Sequence, residues 1–257
     1  MIAFLRVLYK IWFVIAFFAV GIIMYPFAWI LLKLGWLRPL FAIQCWFWYP
    51  MLQLLLFLPY KTIRPKGFGF PKGPFVVIAN HTSYLDILIM HGILRGRQFI
   101  FLGKESLKKF PIIGMFFKSG NMHVPVKRED KSEASQSLRT MMDRVDQGYI
   151  AIIFPEGTQS KQAPKMNPFK AGAFKVAIEK QIPILPMTIL ENFKLLSQVN
   201  RLTGPSRPGL CKVIIHEPIV TEGMTIEDLL PLQERCKDLI ESDLRKAYPK
   251  IGRASCR

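Results

Sequence analysis

Two short polar segments of this chain hold residues that could move a proton. The first is Asn80-His81-Thr82-Ser83-Tyr84-Leu85-Asp86. Histidine titrates near neutrality, with an unperturbed pKa of about 6.5, and serves readily as a general base. A carboxylate that accepts the Nδ1 proton fixes the tautomer and stabilises the imidazolium. Asp86 stands five residues beyond His81, at the expected start of a helix, and the spacing predicts such a dyad. No G-x-S-x-G elbow occurs in the chain, so the dyad would activate a hydroxyl of the substrate rather than an enzymic nucleophile. An isolated H-x4-D is more often a loop histidine followed by a helix-capping aspartate. Here Asp86 is the single acid among the first 104 residues, which argues for a specific task. The second segment is Phe154-Pro155-Glu156-Gly157-Thr158-Gln159-Ser160. Pro155 and Gly157 bend the chain, and Glu156 and Thr158 offer an acceptor and a donor to a polyol. By itself this is an ordinary surface turn.

The elements that must position these segments alternate. Residues 75–79 (FVVIA) form a short apolar run rich in β-branched residues, expected as a buried strand. Residues 85–94 suit a helix. Residues 131–147 suit another, closed by Gly148 at C′. Residues 150–154 (IAIIF) predict a second buried strand, 169–180 a helix, and 182–189 a third strand whose prolines predict an edge or an irregular element. Residues 212–215 predict a fourth strand. Thr225 opens a last amphipathic helix, with Asp228 as a capping-box acid. This order predicts an α/β fold with a largely parallel central sheet flanked by helices. Ligands in such folds collect beyond the carboxyl ends of strands, where both polar segments fall. Residues 200–209 read as a surface loop, and the chain beyond Pro249 as a frayed end.

Composition narrows the setting. The 257 residues allow one catalytic domain and a short appendage. With 51 % hydrophobic residues, 21 % charged residues and a mean hydropathy of +0.23, disorder is excluded and a purely soluble domain is disfavoured. Thirty-five Lys and Arg against 18 Asp and Glu give a net charge of +17, which seeks anionic partners. No nucleic-acid motif accompanies the charge, so the expected partners are membrane lipid and an acidic carrier protein rather than nucleic acid. Cys45, Cys211, Cys236 and Cys256 form no C-x-x-C pair, which fits a reducing compartment.

Residues 1–60 look like a membrane hairpin, and 61–257 like the α/β domain. Two runs of 22 residues without a charge lie between Lys10 and Lys33 and between Arg38 and Lys61. At 1.5 Å per residue each would reach about 33 Å, against a hydrocarbon core of about 30 Å. All five tryptophans fall here, as suits a membrane interface. Pro26 and Pro50 interrupt the runs, so a spanning hairpin and one dipping into a single leaflet both stay open. Six flanking cations (Arg6, Lys10, Lys61, Arg64, Lys66, Lys72) against Lys33 and Arg38 in the connecting loop place the catalytic domain on the cytoplasmic side.

The NHTSYLD and FPEGT segments, with LGKES…FPIIG and IPILP between and beyond them, resemble the 1-acylglycerol-3-phosphate (lysophosphatidic acid) acyltransferase family, over about residues 74–186. The resemblance implies an O-acyltransferase that moves a fatty acyl group from an acyl-CoA or acyl-carrier-protein thioester to the free hydroxyl of a lysophospholipid, giving phosphatidic acid. It implies His81 as the base and Asp86 as its orienting partner. It implies Lys104 and Arg128 as cations for the acceptor's phosphate, and Glu156, Gly157 and Thr158 as the block that holds the glycerol part. Pro183 and Pro186 match a fourth block with acyl-chain or structural roles. One position departs from the pattern: family members commonly carry Arg after Gly-Thr, and here it is Gln159, which has no charge. Lys161 and Lys165 are candidates to replace it.

The remaining signals are weaker. His91, His123 and His216 have no ligand spacing, and neither a metal nor a resident cofactor is expected. Gly67-Phe68-Gly69 reads as a turn, and Gly103-Lys104-Glu105 lacks the Ser or Thr of a Walker motif. Two alternatives stay open: a different lysolipid acceptor, with an amino-acid-linked or other head group, and a non-catalytic membrane protein that binds lipid.

Overall fold

A computed structural model describes residues 1–118, 122–127, 129–200 and 202–249. Arg128 and the tail expected to fray beyond Pro249 lie outside the described residues. Seven strands among them form one sheet: β1 (Tyr60–Ile63), β2 (Val76–Ala79), β3 (Phe99–Lys104), β4 (Val124–Val126), β5 (Ile150–Ile153), β6 (Ile184–Ile189) and β7 (Cys211–Ile215). Their spatial order is β1-β7-β6-β2-β5-β3-β4. The five strands from β6 to β4 run parallel. β7 runs antiparallel to β6, and β1 runs parallel to β7. The sheet is therefore largely parallel, as the alternation predicts.

The central strands explain their own composition. Every residue of β2 and of β5 is buried, so both faces are covered and no polar alternation is needed. Helices α4 (Leu85–Ile93), α6 (Lys131–Asp146) and α7 (Gly172–Lys180) make the β2-to-β3, β4-to-β5 and β5-to-β6 crossovers. α5 (Ile113–Lys118) lies between β3 and β4, the single turn α8 (Asn192–Leu195) follows β6, and α9 (Leu229–Ala247) follows β7. Asp130 caps α6 by accepting from the N–H groups of Ser132 and Glu133. Gly148 follows α6 with φ +89°, in the left-handed region that favours glycine. The capping box of Thr225 and Asp228 forms, over a short 3-10 turn that leads into α9.

The fold differs from the sequence reading in three respects. β1, β3 and β4 are strands that the pattern did not single out. β6 is an interior strand, despite its prolines. Its Ile184 N–H bonds Ile219 on the β7 side, so the two-residue period points the nitrogen of Pro186 the same way. There the chain after β7 leaves the antiparallel ladder, which ends at Met187 opposite Ile215. No ladder bond is lost.

The third difference is the hairpin. Residues Ile2–Lys33 form one helix, α1, that continues through Pro26. Among the described residues it is the one helix long and apolar enough to cross a membrane. The second run is broken into α2 (Leu37–Ile43), a π-helical segment (Gln44–Trp48) and α3 (Tyr49–Leu55). Pro50 has no N–H to continue the α ladder, and Tyr49 bonds back five residues to Gln44. Leu40, Phe41, Cys45, Tyr49, Leu52 and Leu56 of this run are buried in the main core, with the Phe41 ring 5.2 Å from Phe99. The second arm is thus a wall of the α/β core on one side. Trp46, Phe47 and Leu54 face outward on the other.

Candidate active site

The two polar segments meet where β2 and β5, neighbours in the sheet, end side by side. Asn80 continues the β2 edge with its side chain. Its Nδ2 donates to Ile189 O at 2.9 Å, and its Oδ1 accepts from Ile189 N–H at 2.7 Å. This amide bracket stands in for a backbone rung between β2 and β6. The chain then turns, and His81 points its Nδ1 at Asp86 Oδ2, 2.9 Å away. The same Oδ2 accepts the backbone N–H of Thr82 at 2.6 Å and of Ser83 at 2.9 Å. An oxygen that receives two amide N–H bonds is an acceptor, so Nδ1 of His81 is the donor and Nε2 is left basic. Asp86 is fully buried, and its Oδ1 accepts from Asn192 Nδ2 at 2.8 Å.

The imidazole is held from below as well. It stacks on Phe154, with ring centroids 4.2 Å apart and an interplanar angle of 17°. The His81 side chain is 10 % exposed, and Nε2 has no protein partner among the described residues. A base with one nitrogen anchored and the other unoccupied is what proton abstraction requires.

Glu156 is buried beside this pair. Its Oε1 accepts the backbone N–H of His81 at 2.7 Å, and its Oε2 that of Asn167 at 2.7 Å. Burial pushes its carboxyl up to about 7, against the pull of those two N–H groups and with a further push from the Asp86 charge. Gly157 adopts φ +71°, and its N–H is engaged by Phe154 O at 3.0 Å. A Cβ on Gly157 would stand 3.0 Å from Lys170 Cε. Ser160 N–H donates to His81 O at 2.8 Å, and Ser160 Oγ to Lys165 O at 2.6 Å, so the second segment closes over the first.

The structure brings His81, Asp86, Glu156 and Gly157 together. Thr158 is exposed on the rim, and its side chain makes no hydrogen bond among the described residues, while its carbonyl accepts from Asn167 Nδ2 at 3.4 Å. Lys104 is exposed at the carboxyl end of β3, separated from β2 by β5. Arg128 falls outside the described residues. Sequence reasoning did not assign Asn192, Phe154 and Asn167. Asn192 carries a usable signal: it is a polar residue just beyond the carboxyl end of a parallel strand. Among the described residues no group of three His, Cys, Asp or Glu could hold a metal ion. His91 and His123 sit among phenylalanines, where burial lowers their imidazoles to about 4 and about 3. Both are neutral core residues.

Comparison with known proteins decides the family. A model of the acyltransferase family matches residues 61–190, half of the chain. The chain belongs to the acyltransferase family. The matched acyltransferase region begins within β1 and holds both polar segments. The acyltransferase chain is 30 % identical over 200 residues to a 1-acyl-sn-glycerol-3-phosphate acyltransferase of Saccharomyces cerevisiae, covering 77 % of this chain and 64 % of that one. It is 34 % identical over 146 residues to a chloroplastic protein of the same name from Brassica napus, covering 57 % and 41 %. With human 1-acyl-sn-glycerol-3-phosphate acyltransferase alpha it shares 33 % over 174 residues, covering 65 % and 57 %. The matched stretch spans between about two fifths and two thirds of the length of these relatives. The crystal structure of the 1-acyl-sn-glycerophosphate (LPA) acyltransferase PlsC from Thermotoga maritima has the same fold, with a TM-score of 0.72, 95 % of both chains covered and 23 % identity.

Proposed function

We propose that this acyltransferase moves a fatty acyl group from an acyl-CoA or acyl-carrier-protein thioester to the hydroxyl of a lysophospholipid, with 1-acylglycerol-3-phosphate as acceptor and phosphatidic acid as product. The observation that carries the reading is the His81–Asp86 pair, its Nδ1 anchored and its Nε2 unoccupied. The names of the relatives supply the acceptor class.

His81 Nε2 takes the proton of the acceptor hydroxyl as its oxygen attacks the thioester carbonyl. Asp86 stabilises the imidazolium that forms. The tetrahedral oxyanion collapses and the carbon–sulfur bond breaks. The leaving thiolate takes the proton from His81, giving an ester and a free thiol. A thioester is already activated, so no acyl-enzyme is needed. Glu156 acts through the His81 main chain rather than on the substrate, since both its oxygens hold backbone N–H groups. Gly157 gives the turn its left-handed residue. The backbone N–H groups that follow it, at Thr158 and Gln159, are the oxyanion donors we favour. Lys104, with Arg128, supplies charge for the acceptor's phosphate.

Residues 1–60 attach the protein to the membrane and residues 61–257 form the catalytic domain. α1 presents an apolar surface along its length, and the flanking cations favour a cytoplasmic catalytic domain. The second arm, packed on the core, favours attachment in which only α1 enters deeply.

Gln159 supports a second reading, in which the acceptor bears a different head group. One experiment addresses both: purified protein is assayed against a panel of lysolipids with both donors, beside His81→Ala. Thiol release with lysophosphatidic acid, abolished in His81→Ala, is the expected result. Preference for a neutral or zwitterionic lysolipid selects the second reading, and turnover by His81→Ala removes the base.

A further inference from the structure

We infer that Asn192 is a positioning residue for the His81–Asp86 pair, holding the Asp86 carboxylate in the plane that presents Oδ2 to the imidazole. The inference rests on the acyl-transfer reading of that pair.

Three donors reach Asp86 Oδ2, and all come from the adjoining loop: His81 Nδ1, Thr82 N–H and Ser83 N–H. A carboxylate held by one oxygen retains freedom to swing its other oxygen about the Cβ–Cγ bond. Asn192 Nδ2 removes that freedom by donating to Oδ1 at 2.8 Å, from an element 106 residues away in sequence. A fully buried carboxylate also needs its second oxygen matched if it is to stay ionised. An ionised Asp86 keeps the shared proton on His81 and stabilises the imidazolium formed during transfer.

The rest of the Asn192 side chain does nothing comparable. Asn192 is fully buried, and its Oδ1 has no hydrogen-bond partner. Its one side-chain bond among the described residues is the one to Asp86. A half-satisfied buried amide costs stability relative to an apolar side chain of similar volume. Packing alone would be served by leucine, so the purpose of the amide lies in the carboxylate it meets.

The segment that carries Asn192 is tied on several sides. Leu196 N–H bonds Asn192 O at 2.9 Å, and Ser83 Oγ donates to Leu196 O at 2.7 Å. Tyr248, just past α9, donates its hydroxyl to Leu190 O at 2.9 Å and sets its ring edge-on to Phe193. The C-terminal helix thereby props the turn that holds Asn192, and that turn is locked to the loop carrying His81. Burial pushes the Glu156 carboxyl and the Cys211 thiol up, and the nearby Asp86 charge adds to the push on both.

The test compares wild type with Asn192→Leu, Asn192→Ser and Asn192→Asp, each also in an Asp86→Asn background, using a radiolabelled acyl-transfer assay on the full chain and thermal melts to verify folding. Displacement of a catalytic group costs roughly 10–100-fold in rate, and we expect a kcat loss in that range for Asn192→Leu, with KM for both substrates within about twofold. The loss should vanish when Asp86 is already Asn, because a structural role would persist there and a positioning role would not. Asn192→Asp sets a second carboxyl on Oδ1 and should move the acid limb of the kcat profile to higher pH. If Asn192→Leu does not fold, the smaller Asn192→Ser carries the same comparison. A folded variant with wild-type kcat and pH profile, or an equal loss in both backgrounds, overturns the inference. His81→Ala separates the two levels: if it keeps turnover, the acyl-transfer reading of the pair fails, whereas an inactive His81→Ala beside an active Asn192→Leu refutes only the role of Asn192.

Discussion

Glu156 Oε1 accepts the backbone N–H of His81 at 2.7 Å, so the second polar segment holds the first by its main chain and not by its ring. The two segments are 75 residues apart in sequence and are brought together by adjacent parallel strands. The contact makes the position of the imidazole depend on a buried acid with no cationic partner among the described residues.

That acid makes stability depend on pH. Burial raises the Glu156 carboxyl from 4.5 to about 7 in the fold, so folding favours its protonated form. The contribution is complete below the unfolded value near 4.5 and is lost as pH rises through about 7. At 1.36 kcal/mol per unit, the span is on the order of 3 kcal/mol. Glu156→Gln carries no titrating group. Urea unfolding of both proteins at pH 5 and pH 8 should show wild type losing stability relative to Glu156→Gln at the higher pH. A constant difference across that range would mean that Glu156 titrates as a solvated acid.

The bracket between Asn80 and Ile189 predicts a different loss. Both groups it satisfies on Ile189 are backbone atoms in a buried strand end. Asn80→Ala leaves one N–H and one C=O unpaired, at about 1–3 kcal/mol for each. The expected stability loss is about 2–6 kcal/mol, read from the shift in the urea midpoint. Because Asn80 immediately precedes His81, kcat should fall as well, even under conditions where the variant is fully folded. A stability loss without a fall in kcat would show that the bracket supports the sheet and not the dyad.

The fold class was legible because the central strands are short unbroken apolar runs. FVVIA and IAIIF have no polar alternation, and such runs need cover on both faces. The dyad was legible because His81 and Asp86 lie only five residues apart, where spacing alone constrains geometry. The burial of Glu156 was not legible: a polar residue in a Pro-Gly turn reads as a surface group, and only the neighbouring strand turns it inward. For Asn192 the place beyond a strand end was legible but the partner was not, since that partner is 106 residues away. The hairpin was over-read. Apolar length does not distinguish a run that faces lipid from one whose Leu40, Phe41, Leu52 and Leu56 face a core. Pro50 and the two glutamines of the second run carried the distinguishing information.

Lys104 tests the acceptor's phosphate without touching the base. It is exposed at the carboxyl end of β3, the edge of the sheet to which the dyad also belongs, with β5 between them. A cation two strands away from β2 on the same edge is suited to hold a charged group away from the reacting hydroxyl. Charge-assisted hydrogen bonds are about twice as strong as neutral ones, and an exposed site weakens that advantage through solvent and salt. Lys104→Ala is therefore expected to raise KM for a phosphate-bearing lysolipid by roughly 3–10-fold, with kcat little changed, as follows when a contact acts equally on ground and transition states. With an acceptor that lacks the phosphate, the same variant should show wild-type KM. The defect should also shrink as ionic strength rises, because added salt screens in wild type what the substitution removes. An equal rise in KM for charged and uncharged acceptors would assign Lys104 to the shape of the site, and no rise for either would move the phosphate's partner to the Lys161 and Lys165 side of the second segment.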